Sequence, residues 1–181
     1  MEPSKVAFDM IKHQEGLPAP GPDGKYHAYH GKADKAGVWT IGYGMTWYPK
    51  GAAVRESDTI TKFEVENMMN WHINRFADML DSHLPKTLKL EQYQFDALVD
   101  FLYNEGEKNL FTSTLWQKLL INPNDPTIYL YGSTQKKTPV IKSCEFLKWV
   151  YANGKVVDDL IWRRASEAIL YSTGRVDYLG H

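Results

Sequence analysis

The sequence predicts an α+β fold, with a small β-rich N-terminal lobe and a larger helical C-terminal lobe joined by a long helix. Three observations predict it. Residues 17–37 are dense in Pro and Gly, a composition of turns and short strands. The stretch Trp39-Thr40-Ile41-Gly42-Tyr43-Gly44 alternates bulky and small residues, which suits a short strand. From Thr61 to Gly174, apolar residues recur at helical spacing between residues that start and stop helices.

The elements follow in order. Ser4 is placed to cap a helix over residues 5–15, with Val6, Met10 and Ile11 on its apolar face. Gly16 and Pro18 stop it, so Glu15 falls in the last turn. Pro22-Asp23-Gly24 is a turn signal, and residues 26–29 are the expected partner of Trp39 to Tyr43. The glycines inside that second segment predict a bulge or a close approach by another group. Thr61 and Glu64 have the spacing of a capping box and open the joining helix, about 62–82. A helix runs from Leu90 to a C-cap at Gly106. Ser113 or Thr114 caps a short helix to Ile121, which Asn122-Pro123 ends. Residues 123–142 read as irregular, with a basic cluster of Lys136, Lys137 and Lys142. Residues 146–151 form a short helix or turn. Asp158 or Asp159 caps the last helix, 160–173, which Gly174 closes. The expected organisation is one domain over residues 1–181, with lobes of about 14–60 and 86–175.

Composition narrows the class. A chain of 181 residues with 43% hydrophobic content buries a core without staples. The formal net charge of −1 argues against a dedicated nucleic-acid binder. With one cysteine, Cys144, no intramolecular disulfide can form, and the thiol is expected as a small buried residue. No apolar run approaches transmembrane length, and the polar start predicts no signal peptide. Aromatic content of 13% leaves Trp and Tyr to spare for a binding surface. Trp71 and Trp116 sit at helical spacing and read as packing residues. His27 and His30 lie in a loop and do not make a metal pair.

The candidate chemistry centres on Glu15, an acid directly before a glycine-rich segment and near Thr40 in chain order. Cleaving a glycosidic bond needs an acid for the leaving oxygen and a second group that activates water or attacks. Asp23 and Asp34 are both open to that second role, although a turn alone accounts for Asp23.

Motifs along the chain sharpen this. Glu15-Gly16, Ala28-Tyr29, then Asp34, Gly37 and Trp39-Thr40-Ile41-Gly42-Tyr43-Gly44 with Thr46 resemble the active-site signature of the phage-type lysozymes, glycoside hydrolase family 24. Gln94 to Phe101, Asn104-Glu105-Gly106, Ser113-Thr114-Leu115, Trp149 to Lys155 and Leu160 to Ala168 resemble the family's helical lobe in order and spacing. The resemblance covers residues 5–174. Two departures stand out: the path from Glu15 to Thr40 is longer than usual, and Met45 stands where the family commonly has histidine.

The resemblance implies a lysozyme-like fold and a catalytic set of Glu15, Asp34 and Thr40. Glu15 is the implied general acid, with Asp34 and Thr40 holding the attacking water so that the anomeric carbon inverts. Substrate contacts fall on Tyr29, Trp39, Tyr43, Asn104, Ser113 and Arg163, the arginine being the one expected to face the catalytic Glu. The implied enzyme is a muramidase that binds peptidoglycan glycan strands as a monomer, with no cofactor, no metal and no nucleic acid. It would wait in the host cytoplasm for holin-dependent release, or travel in a virion. A lytic transglycosylase of the same fold and a non-catalytic wall-binding virion domain are the alternatives.

Overall fold

A computed structural model describes residues 1–31, 37–130 and 143–179. The elements run α1 (Lys5–Glu15), β1 (Tyr26–His27), β2 (Thr59–Ile60), α2 (Lys62–His83), α3 (Gln92–Glu105), α4 (Glu107–Phe111), α5 (Thr114–Ile121), β3 (Tyr151–Ala152), β4 (Lys155–Val156) and α6 (Asp158–Thr173). The chain divides into two compact units, one of Met1–Met10 with Phe76–His181 and one of Ile11–Arg75. The class is α+β as expected, and mostly helical.

Among its described residues, the Ile11–Arg75 unit contains little regular strand. Tyr26 pairs with Ile60 and His27 with Thr59, antiparallel. This pairing was not legible, because each strand is two residues long and the partners lie far apart in sequence. The expected strand at Trp39–Gly44 is not one. Thr40 makes a single antiparallel bridge to Tyr29, and Ile41 bridges Met45 across a tight turn. Gly42 and Gly44 take φ of 60° and 84°, which L residues with side chains rarely adopt. The alternation that mimics a strand is therefore produced by two glycines a turn needs. The capping box at the start of α2 forms as predicted: the Thr61 amide donates to Glu64 at 2.7 Å, and the Glu64 amide to the Thr61 hydroxyl at 3.3 Å. His72 of α2 is 3% exposed, with Nε2 donating to the Trp47 carbonyl at 3.0 Å and its ring against Trp47 and Trp71.

The unit built from both chain ends is helical. Ser4 caps α1, accepting the Val6 amide at 3.1 Å, and is itself held by Asp96 of α3 through its amide at 2.9 Å and its hydroxyl at 2.5 Å. Asp96 is 1% exposed, and its carboxyl oxygens are satisfied by donors from Ser4 and Gln92 in place of water. Gly106, at φ 83°, ends α3 and begins α4, a helix the sequence reading missed. Ser113 rather than Thr114 caps α5, accepting the Trp116 amide at 3.0 Å. Short 3-10 turns span Pro126–Ile128, within the stretch expected to be irregular, and Phe146–Lys148. Beside the second, Glu145, buried, accepts from Lys118 at 2.7 Å, Lys148 at 2.8 Å and Thr114 at 2.5 Å. Tyr151 pairs with Val156 and Ala152 with Lys155 in a hairpin that was also missed. Its turn is Asn153-Gly154, both at positive φ, the hairpin signature of that dipeptide. The N-cap of α6 is Val157 and makes no side-chain cap; Asp158 and Asp159 instead lie in the first turn, where they complement the helix dipole. Cys144 is buried as expected, and burial pushes its thiol up to about 11. Lys136, Lys137 and Lys142 lie outside the described residues.

The seam between α3 and α6 carries buried charge. Arg163 donates to Asp100 at 2.5 Å, and Arg164 reaches Glu167 at 2.9 Å, Asn104 at 2.7 Å and Glu105 at 3.3 Å. Arg164 also stacks over Phe101 at 4.7 Å. Arg164, Glu167 and Asp100 are fully buried. Burial pushes the Glu167 carboxyl up and the Arg164 guanidinium down, and each charge opposes the other's shift.

Two predictions follow from burial. Glu167→Ala leaves Arg164 buried with less compensation and should cost about 3–5 kcal/mol in urea unfolding, whereas Arg164→Met with Glu167→Leu should cost clearly less. For His72, burial lowers the pKa, the Trp47 carbonyl works against that, and Arg75 adds to it; the net shift is downward. A depressed histidine stabilises the fold above its unfolded value of about 6.5 and loses that contribution as pH falls through the folded value. Stability should therefore fall from pH 7 to pH 5, by at most about 1.4 kcal/mol per pH unit for one proton. His72→Gln should flatten that fall, read as the melting temperature against pH.

Candidate active site

The candidate site is built from the end of α1 and the turn at Ile41–Met45. Helix α1 ends at Glu15 because Gly16 takes φ 68° and its amide closes the last turn on Lys12. Glu15 is half-buried. A Cβ added to Gly44 would stand 4.0 Å from Oε2 of Glu15, so the acid faces bare backbone of the turn. A Cβ at position 44 would only reach van der Waals contact with the carboxylate, and it is the positive φ of 84° that favours glycine there.

Side chains fix the turn's backbone. The Ile41 amide donates to Met45 at 2.9 Å and the Met45 amide to Ile41 at 3.0 Å. The Tyr29 hydroxyl donates to the Gly42 carbonyl at 3.1 Å. At Gly42 an added Cβ would lie 3.0 Å from Met45 Cε and 3.1 Å from Val65, so that glycine also packs against the core. Met45 is 3% exposed and fills this space as a hydrophobe.

Thr40 is 3% exposed and pairs with Tyr29 through both backbone bonds, 2.8 and 2.9 Å. Its hydroxyl donates to the Tyr29 carbonyl at 2.9 Å. The hydrogen is thus committed, and what Thr40 has to offer another group is its oxygen lone pairs. Trp39 is half-buried, stacked on His30 with centroids 3.8 Å apart. Tyr43 is 8% exposed, and its hydroxyl donates to Glu66 at 2.8 Å. Burial and then the Glu66 carboxylate push its phenol up.

Glu66 escaped the sequence reading. It accepts from Tyr43 and, at 2.6 Å, from Lys12 of α1. Burial pushes its carboxyl up, but the bonds from Lys12 and Tyr43 outweigh that and hold it below the usual range. The one available signal was that Lys12 precedes Glu15 by about one helical turn. Asp23 takes the turn role: it accepts from His27 at 3.0 Å and the Lys25 amide at 3.1 Å, which hold its carboxyl low. Asp34 lies outside the described residues.

The helical unit holds the other expected contacts. Asn104 is exposed but engaged with Arg164, Ser113 is buried with its hydroxyl used by the α5 cap, and Arg163 is bound to Asp100. Elsewhere, a surface cavity of about 400 Å³ is lined by Tyr48, Ile60, Asn67, Met68 and Trp71 among others, and by none of the expected site residues. Among the described residues, no group of three His, Cys, Asp or Glu could hold a metal ion, and no helix is long and apolar enough to cross a membrane.

Comparison with known proteins identifies the family. The phage lysozyme family model matches residues 24–167. The endolysin of Bacillus phage B103 is 34% identical over 96% of this chain, and 55% of that protein is covered. The chain spans about half the length of the Bacillus phage relatives it matches. The endolysin of Acyrthosiphon pisum secondary endosymbiont phage 1 is 30% identical over 96% of this chain and 99% of its own length. Among solved structures, the endolysin of the Escherichia coli O157:H7 phage FAHEc1 superposes with a TM-score of 0.70 at 25% identity, covering 98% of this chain and 97% of that one. A P22 lysozyme variant gives 0.66 at 26% identity, covering 94% and 98%. With its lysozyme-like fold and a family match over most of its length, the chain belongs to the phage lysozyme family.

Proposed function

We propose that the protein is a peptidoglycan hydrolase of the muramidase type, cleaving the β-1,4 bond between N-acetylmuramic acid and N-acetylglucosamine with inversion. The observation that carries this is the placement of Glu15: an acid at a helix end, half-buried, facing the backbone of a glycine turn. Bare backbone there leaves room for a sugar ring beside the carboxyl. Glu15 gives its proton to the leaving glycosidic oxygen. Water attacks the anomeric carbon from the opposite face and loses its proton to Asp34. Thr40, whose hydroxyl hydrogen is used by Tyr29, accepts a hydrogen bond from that water and orients it. Tyr29 and Trp39 line the glycan path beside the turn, and Tyr43 supports it from behind. Asn104, Ser113 and Arg163 belong to the same proposal as contacts or supports in the helical unit. The chemistry needs no cofactor.

In this reading the enzyme is a monomer serving phage lysis, released to the wall through a holin lesion or carried in a virion. Relatives named endolysins support it.

Glu15→Gln should abolish clearing of permeabilised Gram-negative cells while the thermal midpoint stays close to wild type. A rate near wild type would overturn the mechanism. The product mass should include the elements of water; an anhydro product would instead identify a transglycosylase. Asp34→Asn should cut the rate by about 100-fold or more, the scale of a general base. Asp23→Asn should leave the rate nearly unchanged, and the reverse pattern would move the second carboxylate to Asp23.

A further inference from the structure

We propose that Glu66 is a positioning residue for Glu15: by binding α1 with one oxygen and the glycine turn with the other, it sets the spacing between the acid and the backbone it faces. The inference rests on the reading of Glu15 as the general acid.

The geometry is specific. Oε2 of Glu66 takes Lys12 Nζ at 2.6 Å, and Oε1 takes the Tyr43 hydroxyl at 2.8 Å. Lys12 is three residues before Glu15, so the two share one side of α1. Tyr43 sits between Gly42 and Gly44, and it is Gly44 whose added Cβ would lie 4.0 Å from Glu15 Oε2. Each arm of Glu66 therefore ends beside one member of the Glu15–Gly44 approach.

Three features separate this from an ordinary surface ion pair. Glu66 and Lys12 expose 31% and 22% of their side chains, so solvent screens them less than an open pair. The carboxylate is shared between two donors from different elements, which makes it a link. Gly42 and Gly44 carry no side chain, so Tyr43 supplies the side chain by which the tip of the turn reaches α2, beside the Tyr29 bond to the Gly42 carbonyl. The Tyr43 ring is nearly buried, so its hydroxyl bond fixes the direction in which the flanking glycines present their backbone. Misplacement of a reacting group by about 1 Å costs on the order of 100-fold in rate, so a tether of this kind acts on turnover.

The test compares Tyr43→Phe, Glu66→Ala, Glu66→Gln, Lys12→Met and the double variant Tyr43→Phe with Glu66→Ala on purified peptidoglycan sacculi, with Glu15→Gln alongside. Tyr43→Phe and Glu66→Ala should each lower kcat by about tenfold or more while KM stays within about twofold. Glu66→Gln keeps an acceptor for Tyr43 and should recover most of that loss. The double variant should be no slower than Glu66→Ala alone, because both changes cut one link. A purely structural role would lower the melting temperature and leave kcat per folded molecule intact. If Glu66→Ala does not fold, Tyr43→Phe and Lys12→Met carry the same comparison. A kcat within about twofold of wild type for Tyr43→Phe and its Glu66 counterpart overturns the proposal, as does a double variant whose losses multiply. An inactive Glu15→Gln beside fully active tether variants defeats this inference alone. An active Glu15→Gln defeats the reading of the acid, and the tether with it.

Discussion

The turn from Ile41 to Met45 is the constraint on which the candidate site depends. Five residues reverse direction, close a pair of backbone bonds and leave bare backbone facing Glu15. Only residues tolerant of positive φ can do this at positions 42 and 44. Such a turn is conformationally costly, because glycine loses more freedom on folding than any other residue. The surroundings offset that cost from several directions. Tyr29 binds the Gly42 carbonyl, Met45 and Val65 close on Gly42, and Glu66 holds Tyr43. Thr40, directly before the turn, is locked to Tyr29 by three hydrogen bonds. Among the described residues of this region the strands are two residues long, and side-chain bonds to backbone replace the ladder that a larger sheet would supply.

The helical unit solves a different problem. Asp100, Arg163, Arg164 and Glu167 bring charge into the α3–α6 seam, where desolvation is expensive. Leucines would fill the same volume at lower electrostatic cost. What the charges add is direction: an Arg164 that reaches Glu167, Glu105, Asn104 and the face of Phe101 has one place to sit. Glu145 does the same on a smaller scale, gathering Lys118, Lys148 and Thr114 around one carboxylate. Both clusters join segments far apart in sequence.

The larger helices were legible because their ends are written in side-chain chemistry. Ser4, the Thr61–Glu64 box, Ser113 and Gly174 each announce a boundary that the structure uses. Helix α4 was missed because Gly106 reads as a stop, and in the structure it is also a start. Asp158 and Asp159 have the residue type of caps, although the helix begins at Asp158 and Val157 fills the cap position. The turn at Ile41–Met45 defeated periodicity: bulky and small residues alternate there for reasons of φ, not of facing. In the candidate site, the helix end at Glu15 and the Thr40–Tyr29 pairing were legible because both sit in motifs with local spacing. Glu66 was not, since its partners come from positions 12 and 43 and nothing local to α2 marks it.

The bond between Ser4 and Asp96 spans 92 residues and has a consequence for synthesis. The first ten residues belong to the same compact unit as everything after Phe76. At about 5–20 residues per second, they leave the ribosome on the order of ten seconds before Asp96 does. The intervening Ile11–Arg75 segment is completed before that interval ends, while residues 1–10 still lack the rest of their unit. Closing so long a loop is entropically affordable, since the cost grows only with the logarithm of its length. The order of events is nevertheless set by topology: the inserted unit has its whole sequence first, and the outer one is sealed last by its own beginning.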